Sequence, residues 1–418
     1  MYANASVPAQ STMNAQSSMN AQSSMSVQSG MSVQSGEPQD WELFSQASPS
    51  VQGAVGADGV WPLDRPLQVA HVSAALLPAG IEYWQASLGR YAHPSRLRFQ
   101  RAVVLTDWVD RRQVARMGMP VEVGGRESVI HAASHCDVLM VSDPGMHAAQ
   151  VSEWILEAKP PVTVFVAHGD GEYTRDRMLG IEPAIDHIIA VSRHVQRATC
   201  AGRPVSIILN GVDPRRLVKT QPRQVSRQQI GISGKDFLVG FVGRFSEEKN
   251  PQLVVEAVAQ LPSHYKLLLV GHGGMREDLL RLCMARLPGR FVLTEGDGDL
   301  GDLYASMDAF VLPSRQEGYG LVSMEAMMCG VPVIGTACGL IADLVTDHAD
   351  GLVVAPDATE IATAIRKLGE HPHLRRAIAT GGRRLANRYG YASQMARQYE
   401  QLLAALWLQS QGRAGANR

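Results

Sequence analysis

Two carboxylates eight residues apart, Glu317 and Glu325, flank the turn Gly318-Tyr-Gly320 and the start of a helix. Upstream, Ala309-Phe-Val-Leu-Pro-Ser314 reads as a buried strand. Downstream, Glu325-Ala-Met-Met-Cys-Gly330 ends at a glycine and Val331-Pro-Val-Ile-Gly335 opens another strand. The segment thus runs strand, glycine turn, helix, strand. Glu317 falls at the carboxyl end of the first strand, the edge at which open α/β sheets bind ligands. A glycine turn feeding a helix N-terminus offers free N–H groups and a positive dipole end to an anion. Carboxylates beside an anion site need a different partner, and sugar hydroxyls, which donate hydrogen bonds, suit them.

Arg244 and Lys249 follow a second apolar strand, Phe237–Val242, and Gly243 lets the backbone there approach a ligand. A departing nucleoside diphosphate needs fixed cations or a metal. Arg supplies a bidentate fork and Lys a mobile point charge. The usual sign of a metal-dependent transferase is an Asp-x-Asp placed after a strand, and the expectation is that the chain lacks one, so that the two cations replace a metal. The alternative for both cations is a set of surface pairs with Glu247 and Glu248. For Glu325 the alternative is a helix carboxylate paired with a nearby base. The two glutamates differ from a glycosidase acid/base pair, which straddles the scissile bond.

His168 ends a strand at Val162–Ala167 and precedes Gly169-Asp-Gly171, again a carboxyl edge. A histidine there serves equally as a structural hydrogen-bond partner. His71 and Ser73, closing the strand Leu67–Ser73, are further candidates. Val270-Gly-His-Gly-Gly274 lacks GxGxxG spacing and a ribose-binding acid downstream, so no dinucleotide site is read there.

Glu317-x7-Glu325 resembles the donor-binding signature of retaining, nucleotide-sugar-dependent glycosyltransferases of family 4, which have the two-domain GT-B fold. Three more segments match in order: Asn210-Gly-Val-Asp213, Gly240–Lys249 and Leu303-Tyr-Ala-Ser-Met-Asp308. The likeness is dense from about residue 185 to 370 and thin before residue 160. It implies α/β architecture, with two doubly wound Rossmann-like domains facing a cleft. It also implies transfer of a sugar from a UDP- or GDP-sugar to an acceptor hydroxyl. In that frame Arg244 and Lys249 stabilise the leaving diphosphate without a metal, and Glu317 accepts from sugar hydroxyls. The backbone of Gly318, Tyr319 and Gly320, with Leu321 and Gly243, holds diphosphate or sugar oxygens, and Glu325 binds the ribose. His168 contacts the donor sugar and reacting centre. Gly80 aligns with a family loop of adjacent glycines, here Ala79-Gly80. No cofactor beyond the donor is implied. The rivals are a GT-B phosphorylase, a sugar-nucleotide epimerase and a non-catalytic partner subunit.

With 418 residues, the chain accommodates two domains and a tail. Its 45% apolar and 19% charged content is that of a globular protein, and a net charge of −1 gives no field that would gather nucleic acid. Cys136, Cys200, Cys283, Cys329 and Cys338 are odd in number and lack CxxC pairs, which fits a reducing cytosol. No stretch has the length of a membrane span, and residues 1–64 hold no Lys, Arg or His to begin a secretory signal. The expected setting is cytoplasmic. The expected acceptor is a carbohydrate, lipid or other small molecule, and the Arg-rich stretches Arg96–Arg101 and Arg111–Arg116 offer basic faces for peripheral membrane contact.

Units beginning at Met13, Met19, Met25 and Met31 repeat every six residues and offer few apolar side chains, so residues 1–60 read as a disordered tail. Residues 61–215 form the expected acceptor domain, and 216–390 the nucleotide-sugar domain. Residues 391–418 form a helix crossing back to the first domain, with Met395, Tyr399, Leu402, Leu403 and Leu406 on one side.

Overall fold

The structure, a computed structural model, describes residues 61–77, 80–200, 205–296 and 298–416. The hexapeptide repeat, the apolar Trp41–Phe44 island and the expected tail lie outside the described residues, as do Pro78 and Ala79 beside Gly80.

Seven strands form the first sheet: β1 (Leu67–Ser73), β2 (Leu97–Val104), β3 (Val121–Val123), β4 (Val138–Asp143), β5 (Val162–Ala167), β6 (His187–Ala190) and β7 (Val205–Ile207). Six form the second: β8 (Phe237–Val242), β9 (Tyr265–Val270), β10 (Phe291–Thr294), β11 (Ala309–Leu312), β12 (Val333–Thr336) and β13 (Leu352–Val354). Their spatial orders are β3-β2-β1-β4-β5-β6-β7 and β10-β9-β8-β11-β12-β13. Every pairing is parallel. Helices between strands cover both faces, which is why β5 and β8 are buried along their whole length. The sheet order reverses between β1 and β4, and again between β8 and β11. Those are the two places where an open sheet leaves a crevice at its carboxyl edge.

Most strands lie where the apolar runs place them, and the departures have local causes. β2 begins at Leu97 rather than near Arg101, because Arg98, Gln100 and Arg101 alternate with its apolar residues and hide the run. β12 begins at Val333, two residues later than the apolar run suggests. Pro332 has no N–H to give, and its carbonyl accepts from the Phe310 N–H at the strand entrance.

The last helix runs Ala392–Ala416 and packs on the helix Gly80–Tyr91 and on β5 of the first sheet. Tyr399 and Leu403 on its inner side are fully buried. Glu400, also buried, accepts from the His93 N–H (2.6 Å) and pairs with Arg96 (2.9 Å), so Arg96 is a structural tie. Where the chain leaves β7 it runs beside the start of this helix. The Val212 N–H donates to the Gly390 carbonyl (2.7 Å) and the Ala392 N–H to the Val212 carbonyl (3.0 Å). A Cβ on Gly211 would come within 2.5 Å of the Ala392 Cα, so only glycine allows this approach.

Candidate functional site

The loops after β8 and β11 meet at the reversal point of the second sheet. The Arg315 N–H donates to the Glu248 carbonyl (2.7 Å), binding one loop to the other. Above that tie, Lys249 Nζ lies 2.6 Å from Glu317 Oε2, and Ser314 Oγ donates to the same oxygen at 3.3 Å. Both charged side chains are largely withdrawn from water, at 16% and 12% exposure. Arg244 takes a different place. It pairs with Glu248 (2.8 Å) four residues on and stays 55% exposed, so of the two cations only Lys249 is joined to Glu317. The Arg244 charge is nonetheless felt across the cleft by Glu82 of the first domain. Burial pushes that carboxyl up to about 7, against the pull of Arg244 and of the Leu77 N–H.

The turn carrying Glu317 is held from the first domain. The Glu317 N–H donates to Asp170 Oδ2 (3.2 Å), and the same oxygen lies 3.0 Å from His194 Nε2. Ser192 Oγ donates to the Gly318 carbonyl (2.6 Å). A Cβ on Gly318 would sit 1.8 Å from the His168 carbonyl oxygen, a contact no side chain could share. Gly320, with φ +91°, turns the chain into the helix Leu321–Met328. Gly80 faces that helix, its Cβ position 3.9 Å from Leu321 Cδ1. Asp343 completes the clamp by accepting from the His194 N–H (2.9 Å) and Arg197 (2.9 Å). Tyr319 is buried, and its carbonyl accepts from the Leu340 N–H.

Glu325 is 1% exposed and both its oxygens are engaged. Arg216 reaches Oε1 at 2.9 Å, and the Tyr304 hydroxyl donates to Oε2 at 2.8 Å. Burial and the carboxylate together raise the Tyr304 pKa well above its usual value. Arg216 also lies 3.6 Å over the ring of Tyr83 in the first domain, so it spans the two domains.

His168 packs edge-on against Trp84 (4.6 Å between centroids), with His71 on the same tryptophan at 5.9 Å. Burial, then the nearby His71, lowers the His168 pKa to about 3, so the ring is neutral and its shielded Nε2 has no hydrogen-bond partner. His71 is likewise pushed to about 3 by burial. Ser73 donates its hydroxyl to the Ala75 carbonyl (3.3 Å).

Lys249, Glu317, Ser314 and the Gly318–Gly320 turn therefore come together with Asp170, His194 and Ser192. Sequence reasoning missed Asp170, Ser192, His194, Asp343, Arg216 and Tyr304. Asp170 stood inside the quoted His168–Gly171 turn and Arg216 at the expected boundary between domains, but neither has a local pattern that names its partner. An Asp-x-Asp does follow one strand, Asp297-Gly-Asp299 after β10. That strand is the outer edge of the second sheet, with β9 between it and β8, and Asp297 lies outside the described residues.

Residues 222–385 match the family described as glycosyl transferases group 1. That stretch contains the whole second sheet, β8 to β13. Among curated relatives, it is 31% identical over 264 residues to a D-inositol 3-phosphate glycosyltransferase of Actinosynnema mirum, covering 57% of this chain and 62% of the relative. It is 29% identical over 235 residues to a lipopolysaccharide core biosynthesis mannosyltransferase of Rhizobium meliloti, covering 52% and 66%. The chain thus spans about three-fifths of the length of the curated relatives it matches. Among solved structures, Anabaena HepE in complex with UDP and glucose superimposes with a TM-score of 0.70 over 80% of this chain and 98% of that one, at 23% identity. The chain has the GT-B arrangement of two parallel-sheet, Rossmann-like domains. Among its described residues no helix is long and apolar enough to cross a membrane.

Proposed function

We propose that the protein transfers a sugar from a nucleoside-diphosphate sugar to an acceptor hydroxyl, with retention at the anomeric carbon. The observation that carries this reading is the Lys249–Glu317 pair at the β8–β11 crevice, 2.6 Å apart. A carboxylate that reads sugar hydroxyls and a cation that meets a diphosphate are there side by side. The relatives that are named glycosyltransferases, and a neighbour with UDP and glucose bound, favour a nucleotide sugar as donor, UDP first and GDP second.

In this mechanism the bond between the anomeric carbon and the diphosphate oxygen breaks, and the electron pair leaves with the diphosphate. Lys249 stabilises the growing charge, and Arg244 swings from Glu248 to join it. The acceptor oxygen attacks from the same face, and its proton passes to the departing phosphate oxygen, so no protein nucleophile is required. Glu317 fixes the sugar and Glu325 the ribose, while the N–H groups of the Gly318–Leu321 turn face the diphosphate. The unpartnered Nε2 of neutral His168 suits a sugar hydroxyl. The two cations stand in for a metal, so chelator leaves turnover unchanged. Free cysteines at five positions fit a cytosolic setting.

The test is release of nucleoside diphosphate. Transfer requires that it appear only when acceptor is added. A phosphorylase needs phosphate instead, an epimerase alters the donor without any acceptor, and a binding subunit releases nothing. Screening nucleotide sugars for thermal stabilisation identifies the donor, since a ligand at about 100 times its dissociation constant adds about 2.7 kcal/mol.

A further inference from the structure

Arg216 is held from two sides, and only one of them belongs to the second domain. Its Nη1 lies 2.9 Å from Glu325 Oε1, while its guanidinium lies 3.6 Å from the centroid of the Tyr83 ring, in the first domain. Tyr83 is itself fixed. Arg116 Nη1 donates to its hydroxyl at 3.1 Å, and the Arg116 guanidinium lies 5.6 Å from the same ring. Arg116 then reaches back to the second domain, where its Nη2 is 3.5 Å from the Cβ position of Gly298. One tyrosine thus sits between two guanidinium groups at the domain boundary.

The helix Gly80–Tyr91 grips the turn Pro214–Leu217 along its length. Tyr83 and Arg90, seven residues apart, share a helical face. Arg90 (3.3 Å) and Tyr91 (2.8 Å) hold Asp213 at the start of the turn, and Tyr83 holds Arg216 within it. The second domain fixes the same backbone, because the Leu300 N–H donates to the Arg216 carbonyl (2.8 Å) and a Cβ on Gly301 would collide with the Val218 carbonyl. With its backbone pinned, Arg216 can leave Glu325 only by moving its side chain, and that movement breaks the stack on Tyr83.

Glu325 is sealed from water, with Arg216 on one oxygen and the Tyr304 hydroxyl on the other. Ribose hydroxyls, which donate, reach it once the guanidinium has gone. The buried Arg216 Nε has no hydrogen-bond partner, so Glu325 and the aromatic face are what retain the group. A guanidinium over a tyrosine ring, 18% exposed and thus partly desolvated, is held by the ring as well as by its carboxylate. We propose that Tyr83 is a positioning residue that keeps Arg216 on Glu325, so that donor affinity is set in part from across the domain boundary. A site that must first be vacated binds with an affinity reduced by the fraction already vacant, and Tyr83 lowers that fraction. The proposal rests on the reading of Glu325 as the ribose carboxylate.

Calorimetric titration of the full chain tests it, using uridine and guanosine diphosphates and their 2′,3′-dideoxy forms, which lack the hydroxyls that Glu325 would accept from. Tyr83→Leu should tighten binding of the ribose form about twofold to thirtyfold, the range of one cation–π contact, and leave the dideoxy form unchanged. Tyr83→Phe keeps the aromatic face and should bind like the parent. In an Arg216→Ala background, Tyr83→Leu should add nothing, because the tyrosine acts through the guanidinium. Urea midpoints without nucleotide report whether each variant is folded. Should Tyr83→Leu fail to fold, Arg116→Gln, a half-buried change that loosens the ring from its hydroxyl end, should give a smaller gain confined to the ribose form. Unchanged or weaker binding of the ribose form by Tyr83→Leu, an equal gain for the dideoxy form, or a further gain in the Arg216→Ala background overturns the proposal. If Arg216→Ala alone gains affinity for the ribose form, the ribose reading of Glu325 stands and Tyr83 loses its role. If ribose and dideoxy forms bind alike in every variant, or neither nucleotide binds at all, that reading falls and takes the proposal with it.

Discussion

The Glu317 backbone N–H, in the second domain, donates to the carboxylate of Asp170 in the first, 3.2 Å away and 147 residues earlier in the chain. The turn that carries Glu317 is therefore not shaped by its own domain alone. Its position depends on the first sheet arriving beside it, and Asp170 holds His194 with the same oxygen.

Asp170→Asn is expected to weaken donor binding by about tenfold to a hundredfold, since a hydrogen bond to a charged group contributes roughly 1.5–3 kcal/mol. The half-saturating donor concentration should rise more than maximal turnover falls, because the reacting groups stay in place. Steady-state kinetics and donor-induced melting shifts check this. A proportional loss of turnover at unchanged donor affinity would give Asp170 a different role.

Lys249→Ala removes the charge placed to meet the leaving group. Loss of one such stabilising donor commonly lowers turnover by about 10²–10³. Acceptor-dependent release of nucleoside diphosphate measures it, with the urea midpoint as a control for folding. Unchanged turnover at saturating donor and acceptor would sink the mechanism.

Arg216→Ala leaves the Glu325 carboxylate buried with only Tyr304 for company. Removing one partner of a buried ion pair costs about 3–5 kcal/mol, and the partial exposure of Arg216 argues for the lower end. Donor should stabilise this variant by more than it stabilises the parent, because ribose hydroxyls then reach a carboxylate that no longer has to release a guanidinium. Urea denaturation with and without donor decides it.

Two pH dependences of opposite sign should overlap between the acid range and about pH 7. Burial lowers His168 and His71 to about 3 and His187 to about 4. Below the ordinary histidine value of 6.5, the unfolded chain takes up protons that the folded one refuses. Their stabilising contribution is thus full above 6.5 and drains away as pH drops toward those lowered values. Glu82, raised to about 7, works the other way. Its contribution is full below its ordinary 4.5 and is lost as pH rises through 7. Urea midpoints across this range should show a flatter acid limb in His168→Asn and a flatter neutral limb in Glu82→Gln.

Leu403→Ala tests the last helix. The side chain is fully buried against the first domain, and truncating such a leucine costs about 2–5 kcal/mol. Because the helix packs on β5, whose end carries His168, donor affinity should fall along with the melting temperature.

The alternation of strands and helices was legible in the sequence because buried parallel strands are unbroken apolar runs. Val162–Ala167, Phe237–Val242, Tyr265–Val270 and Ala309–Leu312 have the bounds their composition suggests. β3, three residues long, offered no run to see. Within the site, Glu317 and Lys249 could be paired in advance because each follows its own strand and the two strands are neighbours. Arg244 could not be placed, since an exposed side chain with Glu248 four residues along the same loop has a local partner at hand. The clamp of Asp170, Ser192, His194 and Asp343 was invisible for a simpler reason: its partners are brought together only by the meeting of two domains, and no spacing along one chain encodes that.

Gly211 gives the side-by-side run of Val212 and Tyr391–Ala392 a mechanical meaning. The polypeptide passes between the two lobes twice, and hydrogen bonds splice the two passes into a single two-ply axle. These bonds hold the two crossings in one register where the lobes join. Cutting the chain ahead of Tyr391 would then do more than trim an end. It would strip one ply from the axle and leave the jaws with no fixed bite.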